Sequence, residues 1–151
     1  MNIGVDWSVY MLILLLTDYN DVDALDPCLS GNHDNLYSME KRGPSYVMDS
    51  SPLCDRYITQ GWYGTKGYLM STSLPQLTNC GTLYPIWLNG EIPSAGQSAV
   101  LTACEVGFSS SCTKSYSIEV KNCVDIVVYK LRPADACNAA YCFGMCLVYM
   151  R

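Results

Sequence analysis

The sequence predicts a small, mainly β, disulfide-rich domain. It should be β-sandwich-like, with antiparallel hairpins, long loops and at most short helical turns. Three observations predict this. Nine cysteines are spread over one 151-residue chain, at 28, 54, 80, 104, 112, 123, 137, 142 and 146. Apolar and polar residues alternate with a period of two over Ser115–Lys121, the pattern of a half-buried strand. After Ala24 there is no amphipathic helical stretch of ordinary length.

The length suits one domain with a real core. Charged residues make up 15% of the chain, below the usual quarter. The formal net charge is −5. Four of the acids, Asp6, Asp18, Asp21 and Asp23, precede Ala24, and no base does. The rest is near neutral and has no Lys/Arg run, which argues against nucleic acid or an anionic membrane as a partner.

Residues 1–24 read as a secretory signal peptide with an atypical front. Tyr10–Thr17 is an apolar run of h-region size, too short to span a bilayer. Val22-Asp23-Ala24 offers small residues for cleavage after Ala24. Met1–Ser8 carries no base, and Asp6 stands where positive charge is expected. An N-terminal core helix is the competing reading. The acids Asp18, Asp21, Asp23 and Asp26 lack calcium-loop register and its distal Glu, so they read as a solvated segment.

The domain proper is placed at 25–143. Gly31–Asn35 is a loop by composition, and His33 within it should be exposed. Tyr46–Met48 can form a short strand. Arg56–Tyr63 can form another, ending at Gly61-Trp62-Tyr63, with Gly64 and Gly67 turning the chain into a return strand over Tyr68–Thr72.

Tyr84–Pro93 (Y-P-I-W-L-N-G-E-I-P) is the centre of the reading. Asn89-Gly90 is a strong turn dipeptide, because both residues tolerate positive φ. Trp62 and Trp87 are read as structural anchors, with the large indole of Trp87 in the core and its N–H paired. Pro85 and Pro93 stiffen entry and exit.

Ser98–Ala103 should be a strand leading into Cys104, and residues 105–111 a small insert before Cys112. Ser115–Lys121 and Ile126–Leu131 should pair as a hairpin through a turn at Asn122–Asp125. Ala134–Tyr141 is alanine-rich and could make a helical turn. Residues 144–151 read as a truncated or remnant tail, and Cys146 in it as unpaired.

No C-x-x-C pair occurs and His33 is the sole histidine, which disfavours structural zinc. The cysteines read as disulfides formed in an oxidising compartment. No metal or other cofactor is expected. Catalysis is disfavoured too: there is no nucleophile–base pair or phosphate-cradling glycine loop. Asp49 and Asp55, on either side of Cys54, are expected to be solvated. Twelve tyrosines, among them Tyr57, Tyr63, Tyr68 and Tyr84 near the turns, could supply contact area for a ligand or simply pack.

Several motifs in order resemble the uromodulin-like eight-cysteine domain, the domain found in uromodulin and pancreatic secretory granule membrane glycoprotein 2. They are Asp26-Pro27-Cys28, Cys54-Asp55, Gly61-Trp62-Tyr63, and the P-x-W-L-N-G-x-x-P unit of Pro85, Trp87, Leu88, Asn89, Gly90 and Pro93. Val120-Lys121-x-Cys123 follows. Tyr129, Leu131, Pro133, Cys137, Ala140, Tyr141 and Cys142 close the series. The resemblance implies four pairs: Cys28–Cys123, Cys54–Cys137, Cys80–Cys142 and Cys104–Cys112. Spacing alone could not choose among the roughly one hundred pairings of eight cysteines.

Relatives have a glycosylation sequon at W-L-N-G-T. Here Glu91 follows Gly90, and no N-x-[ST] occurs in the chain, so a glycan-decoy role does not carry over. The function expected is a secreted, extracellular recognition or adhesion module that is not an enzyme. Its partner would be an unidentified extracellular protein or glycan. The alternative is a structural spacer in a larger matrix or zona pellucida-type glycoprotein.

Overall fold

The computed structural model describes residues 25–146. The signal-peptide reading of 1–24 and the last five residues lie outside them. Nine strands are present among the described residues: β1 Asp34–Asn35, β2 Gly61–Gly64, β3 Tyr68–Met70, β4 Tyr84–Asn89, β5 Ser98–Glu105, β6 Lys114–Asn122, β7 Val127–Leu131, β8 Ala139–Tyr141 and β9 Phe143–Cys146. The only helical segments among these residues are single 3-10 turns at Met39–Lys41 and Asp55–Tyr57.

Seven strands form one sheet in the order β1-β2-β7-β6-β5-β4-β8, and β3 and β9 form a separate ribbon. The expected sandwich is therefore unequal, seven strands against two. β1/β2 and β4/β8 are parallel, and all other neighbours are antiparallel. The ribbon lies on the inner face of the large sheet. Met70 N–H donates to the Tyr129 hydroxyl at 3.0 Å, and the Phe143 ring meets the Tyr129 ring edge-on at 5.3 Å.

The β6–β7 hairpin is where the alternation places it. Tyr116, Ile118 and Val120 are buried while Ser115, Ser117 and Glu119 face out, the period-two consequence of a half-buried sheet. Across the register, Leu88 on β4 faces Ala103, Ala103 faces Tyr116, Val120 faces Tyr129, and Tyr129 faces Tyr63. These facing pairs run through the core, which also takes in Ile86, Ile118, Leu131 and Phe143. At its β5 end the buried Tyr116 hydroxyl donates to the buried Glu105 carboxylate at 2.6 Å.

Several expectations are corrected. Thr65–Tyr68 is a tight turn, with positive φ at Lys66 (53°) and Gly67 (83°) and Tyr68 N–H bonded to the Thr65 carbonyl. The chain leaving it does not return along β2, because β1 and β7 already occupy both edges of β2. It joins β9 instead. Strand structure in 56–63 begins only at Gly61, since Asp55–Tyr57 is a 3-10 turn with Asp55 O bonded to Ala134 N–H.

Tyr46–Met48 is not a strand. It bonds to a loop with positive φ at Thr78, Cys80 and Gly81, which cannot continue a ladder. The alanine-rich stretch makes no helical turn. Asn138 takes φ 64° and leads into β8, where Ala139 and Ala140 are fully buried beside Tyr84 and Pro85. Small side chains here serve close strand packing rather than helix propensity.

β4 and β5 do form a hairpin. Its connection runs over residues 90–97, however, and positive φ falls at Gly96 (78°), not at Asn89 or Gly90. The loop is held back against the next hairpin by Asn122, whose amide donates to the Pro93 carbonyl and whose backbone carbonyl accepts from Gly96 N–H.

Candidate functional site

The frame of the site is covalent. Cys28 is bonded to Cys123, Cys54 to Cys137, Cys80 to Cys142 and Cys104 to Cys112, with Cα–Cα separations of 5.6, 5.0, 5.3 and 4.7 Å. Three of the loops closed span 95, 83 and 62 residues. Loops of that size remove roughly 4–5 kcal/mol each of denatured-state entropy in the chain-entropy model. These bridges fasten the first part of the domain, which has few strands, to β6–β8. Cys146 lies in β9, its backbone paired with Tyr68, so strand pairing continues past 143, with a register shift between Leu69 and Met70.

Sequence reasoning missed the second fastening, an ion pair with no solvent exposure. Arg42 Nη1 and Nη2 donate to Asp55 Oδ2 and Oδ1 at 2.7 and 2.8 Å. The remaining valences are also filled. Arg42 Nε donates to Tyr37 O, the Tyr37 hydroxyl to Asp55 Oδ1, and Tyr141 N–H to Asp55 Oδ2, while Arg42 Nη1 also reaches Tyr141 O. Asp55 is thus not solvated. Its neighbour in the expectation, Asp49, is exposed as expected and paired with Lys41 at 2.8 Å. That amine, with the Ser51 N–H and the Tyr46 hydroxyl, holds the Asp49 carboxyl down at about 2.

The core placement expected of Trp87 is corrected. Trp62 and Trp87 lie on the outer face of the large sheet and are half-buried, because the core face is taken by their neighbours Tyr63, Ile86 and Leu88. Trp62 sits 5.8 Å from Lys130 Nζ. Trp87 pairs across to Cys104, and its indole N–H donates to Ser111 O in the loop that the Cys104–Cys112 bridge closes.

His33 is half-buried, not exposed. Its Nδ1–H donates to Pro27 O at 2.7 Å, and its ring lies where a Cβ at Gly64 would stand, 2.7 Å from Cδ2. Of the four tyrosines near the turns, Tyr63 is buried, Tyr68 and Tyr84 pack on the core, and Tyr57 is exposed. Among the described residues, no group of three or more His, Cys, Asp and Glu is placed to hold a metal ion.

An apolar cavity of about 470 Å³ has Leu69, Met70, Leu74, Pro75 and Ile92 among its walls and Glu91 as the only charged residue lining it. Its walls are pinned by backbone bonds. Ser71 O accepts from Leu88 N–H at 2.8 Å, and Ser71 N–H donates to the carbonyl of the bridged Cys142 at 2.9 Å.

An unequal β sandwich closed by four disulfides and a buried ion pair defines a class of small, covalently framed β domains. Residues 61–143 match the family model of the uromodulin-like domain, and the chain belongs to that family. Two relatives show the range. Pancreatic secretory granule membrane major glycoprotein GP2 of Rattus norvegicus is 33% identical over 127 residues, 79% of this chain and 23% of the relative. Uromodulin of Mus musculus is 36% identical over 94 residues, 59% of this chain and 14% of the relative. The chain thus spans under a quarter of the length of these curated relatives.

Proposed function

We propose that this chain is a non-catalytic recognition module in the extracellular part of a larger glycoprotein. Two relatives bear the printed name of a glycoprotein, and four bridges suit an oxidising compartment.

The observation that carries recognition is the apolar cavity, held open before any ligand arrives by the bridged frame. A preformed site loses little conformational freedom on binding. Its walls hold one acid and no base, so it suits an apolar group that is neutral or positively charged.

The test is a fluorescence titration of the oxidised protein with the neutral apolar dye Nile red. Saturable emission that is lost in Leu74→Gln supports the cavity as a binding site; Leu74 is 54% exposed, so that change should leave the fold intact. Emission that never saturates, or that Leu74→Gln leaves unchanged, overturns recognition through this cavity. A structural spacer is the second reading. It is favoured by the small share of each relative that the chain covers, and would then stand.

A further inference from the structure

A second, polar cleft of about 600 Å³ is lined by Arg56, Gln60, Ser117, Arg132, Pro133 and Asp135. It lies apart from the apolar cavity and shares no residue with it. Eight bases stand between residues 25 and 146. Six of them are in ion pairs, and Arg56 has no acid within 4.0 Å among the described residues. Arg132 has only the exposed Asp135, at 3.3 Å. Two guanidinium groups and one carboxylate therefore face the cleft, a local excess of positive charge on a chain of net charge −5.

The walls are rigid. Asp55, next to Arg56, is locked by Arg42, and its carbonyl accepts from Ala134 N–H at 3.0 Å. The buried Tyr141 hydroxyl donates to Arg132 O at 2.8 Å, and Asp135 N–H reaches the Tyr116 hydroxyl at 3.3 Å. The Arg132 guanidinium lies 5.4 Å from the Tyr116 ring. The Cys54–Cys137 bridge ties the two walls together. Both arginines thus extend from fixed backbone, and their side chains end in solvent.

We infer that this cleft binds the carboxylate of an acidic sugar. Guanidinium groups offer paired N–H donors that match a carboxylate. The Gln60 amide and Ser117 hydroxyl can meet sugar hydroxyls, and the Pro133 ring offers a flat face to a pyranose. No large apolar side chain lines the cleft, so a polyhydroxylated ligand fits better than a peptide with apolar anchors.

The test is an NMR titration of the ¹⁵N-labelled, oxidised protein with N-acetylneuraminic acid, its methyl ester, inorganic sulfate and a tetraglutamate peptide. The acid should give saturable shifts at the Gln60 side-chain amide and the arginine Nε–H signals, while the ester gives none. Arg56→Gln should weaken binding about tenfold, since a hydrogen bond to a charged group is lost. Arg132→Lys should weaken it while keeping the charge. Equal response to the ester, unchanged affinity in Arg56→Gln, or no saturable shift with the acid overturns the inference. So does sulfate or tetraglutamate binding as tightly as the acid, which would mark a general anion site or an acidic-peptide site.

Discussion

Arg42 and Asp55 stand where the next strand of the large sheet would be. β8 is an edge strand, with β4 on its other side. Tyr141 N–H donates to the Asp55 carboxylate, and Tyr141 O accepts from the Arg42 guanidinium. The pair therefore satisfies the edge backbone that a missing neighbour leaves open, and it covers an edge that would otherwise invite pairing with another chain.

Breaking the pair from one side should be severe. Asp55→Ala leaves a buried guanidinium and the Tyr141 N–H unpaired, and should cost roughly 3–5 kcal/mol. Arg42→Met combined with Asp55→Leu removes both charges and should recover a substantial part of that. Urea unfolding with the bridges intact measures both. A loss below about 1 kcal/mol for Asp55→Ala would contradict the role given to the pair.

The facing of β4 makes an inverted prediction for its largest residue. Leu88→Ala opens a cavity in the core row and should cost roughly 2–5 kcal/mol. Trp87→Ala, on the outer face, should cost less, despite the larger side chain. Its effect should concentrate in the 105–113 loop, seen as faster amide exchange once the indole bond to Ser111 O is gone. Unfolding midpoints of the two variants decide the order.

Stability should fall at alkaline pH. Burial raises the Tyr129 and Tyr141 hydroxyls well above their ordinary value, and burial together with the Glu105 carboxylate does so for Tyr116. In the unfolded chain these groups ionise near about 10. Their contribution is therefore fully present below that pH. It is lost as pH rises beyond it, because the unfolded state then releases protons that the folded state retains. Tyrosinate absorbance should show these three ionising only together with the loss of β-sheet circular dichroism.

Much of this fold could be read in the chain because its signals are local. The alternation in Ser115–Lys121 specifies a strand, its face and its hairpin partner without outside help. The failures arise where tertiary contacts decide. Lys66-Gly67 forms the expected turn, yet β3 leaves the sheet because β2 has no free edge, and edge occupancy is not written locally. Trp87 promised burial by its size, but the two-residue period gave the core to Ile86 and Leu88. Arg42 carried no visible signal: its partner lies 13 residues on, and nothing local distinguishes a buried aspartate from a solvated one. The only hint was that Asp55 directly follows a cysteine. As for the candidate site, the apolar cavity joins residues 44, 69–75, 91–92 and 144, which only the folded topology brings together.

The covalent frame holds both clefts and the buried ion pair in place, so its connectivity is the property to establish first. A non-reducing disulfide map, by mass spectrometry, of the protein secreted from eukaryotic cells decides it. Linked peptides are expected for Cys28–Cys123, Cys54–Cys137, Cys80–Cys142 and Cys104–Cys112. Free thiols at these eight positions, or a different pairing among them, would contradict the frame and every site built on it.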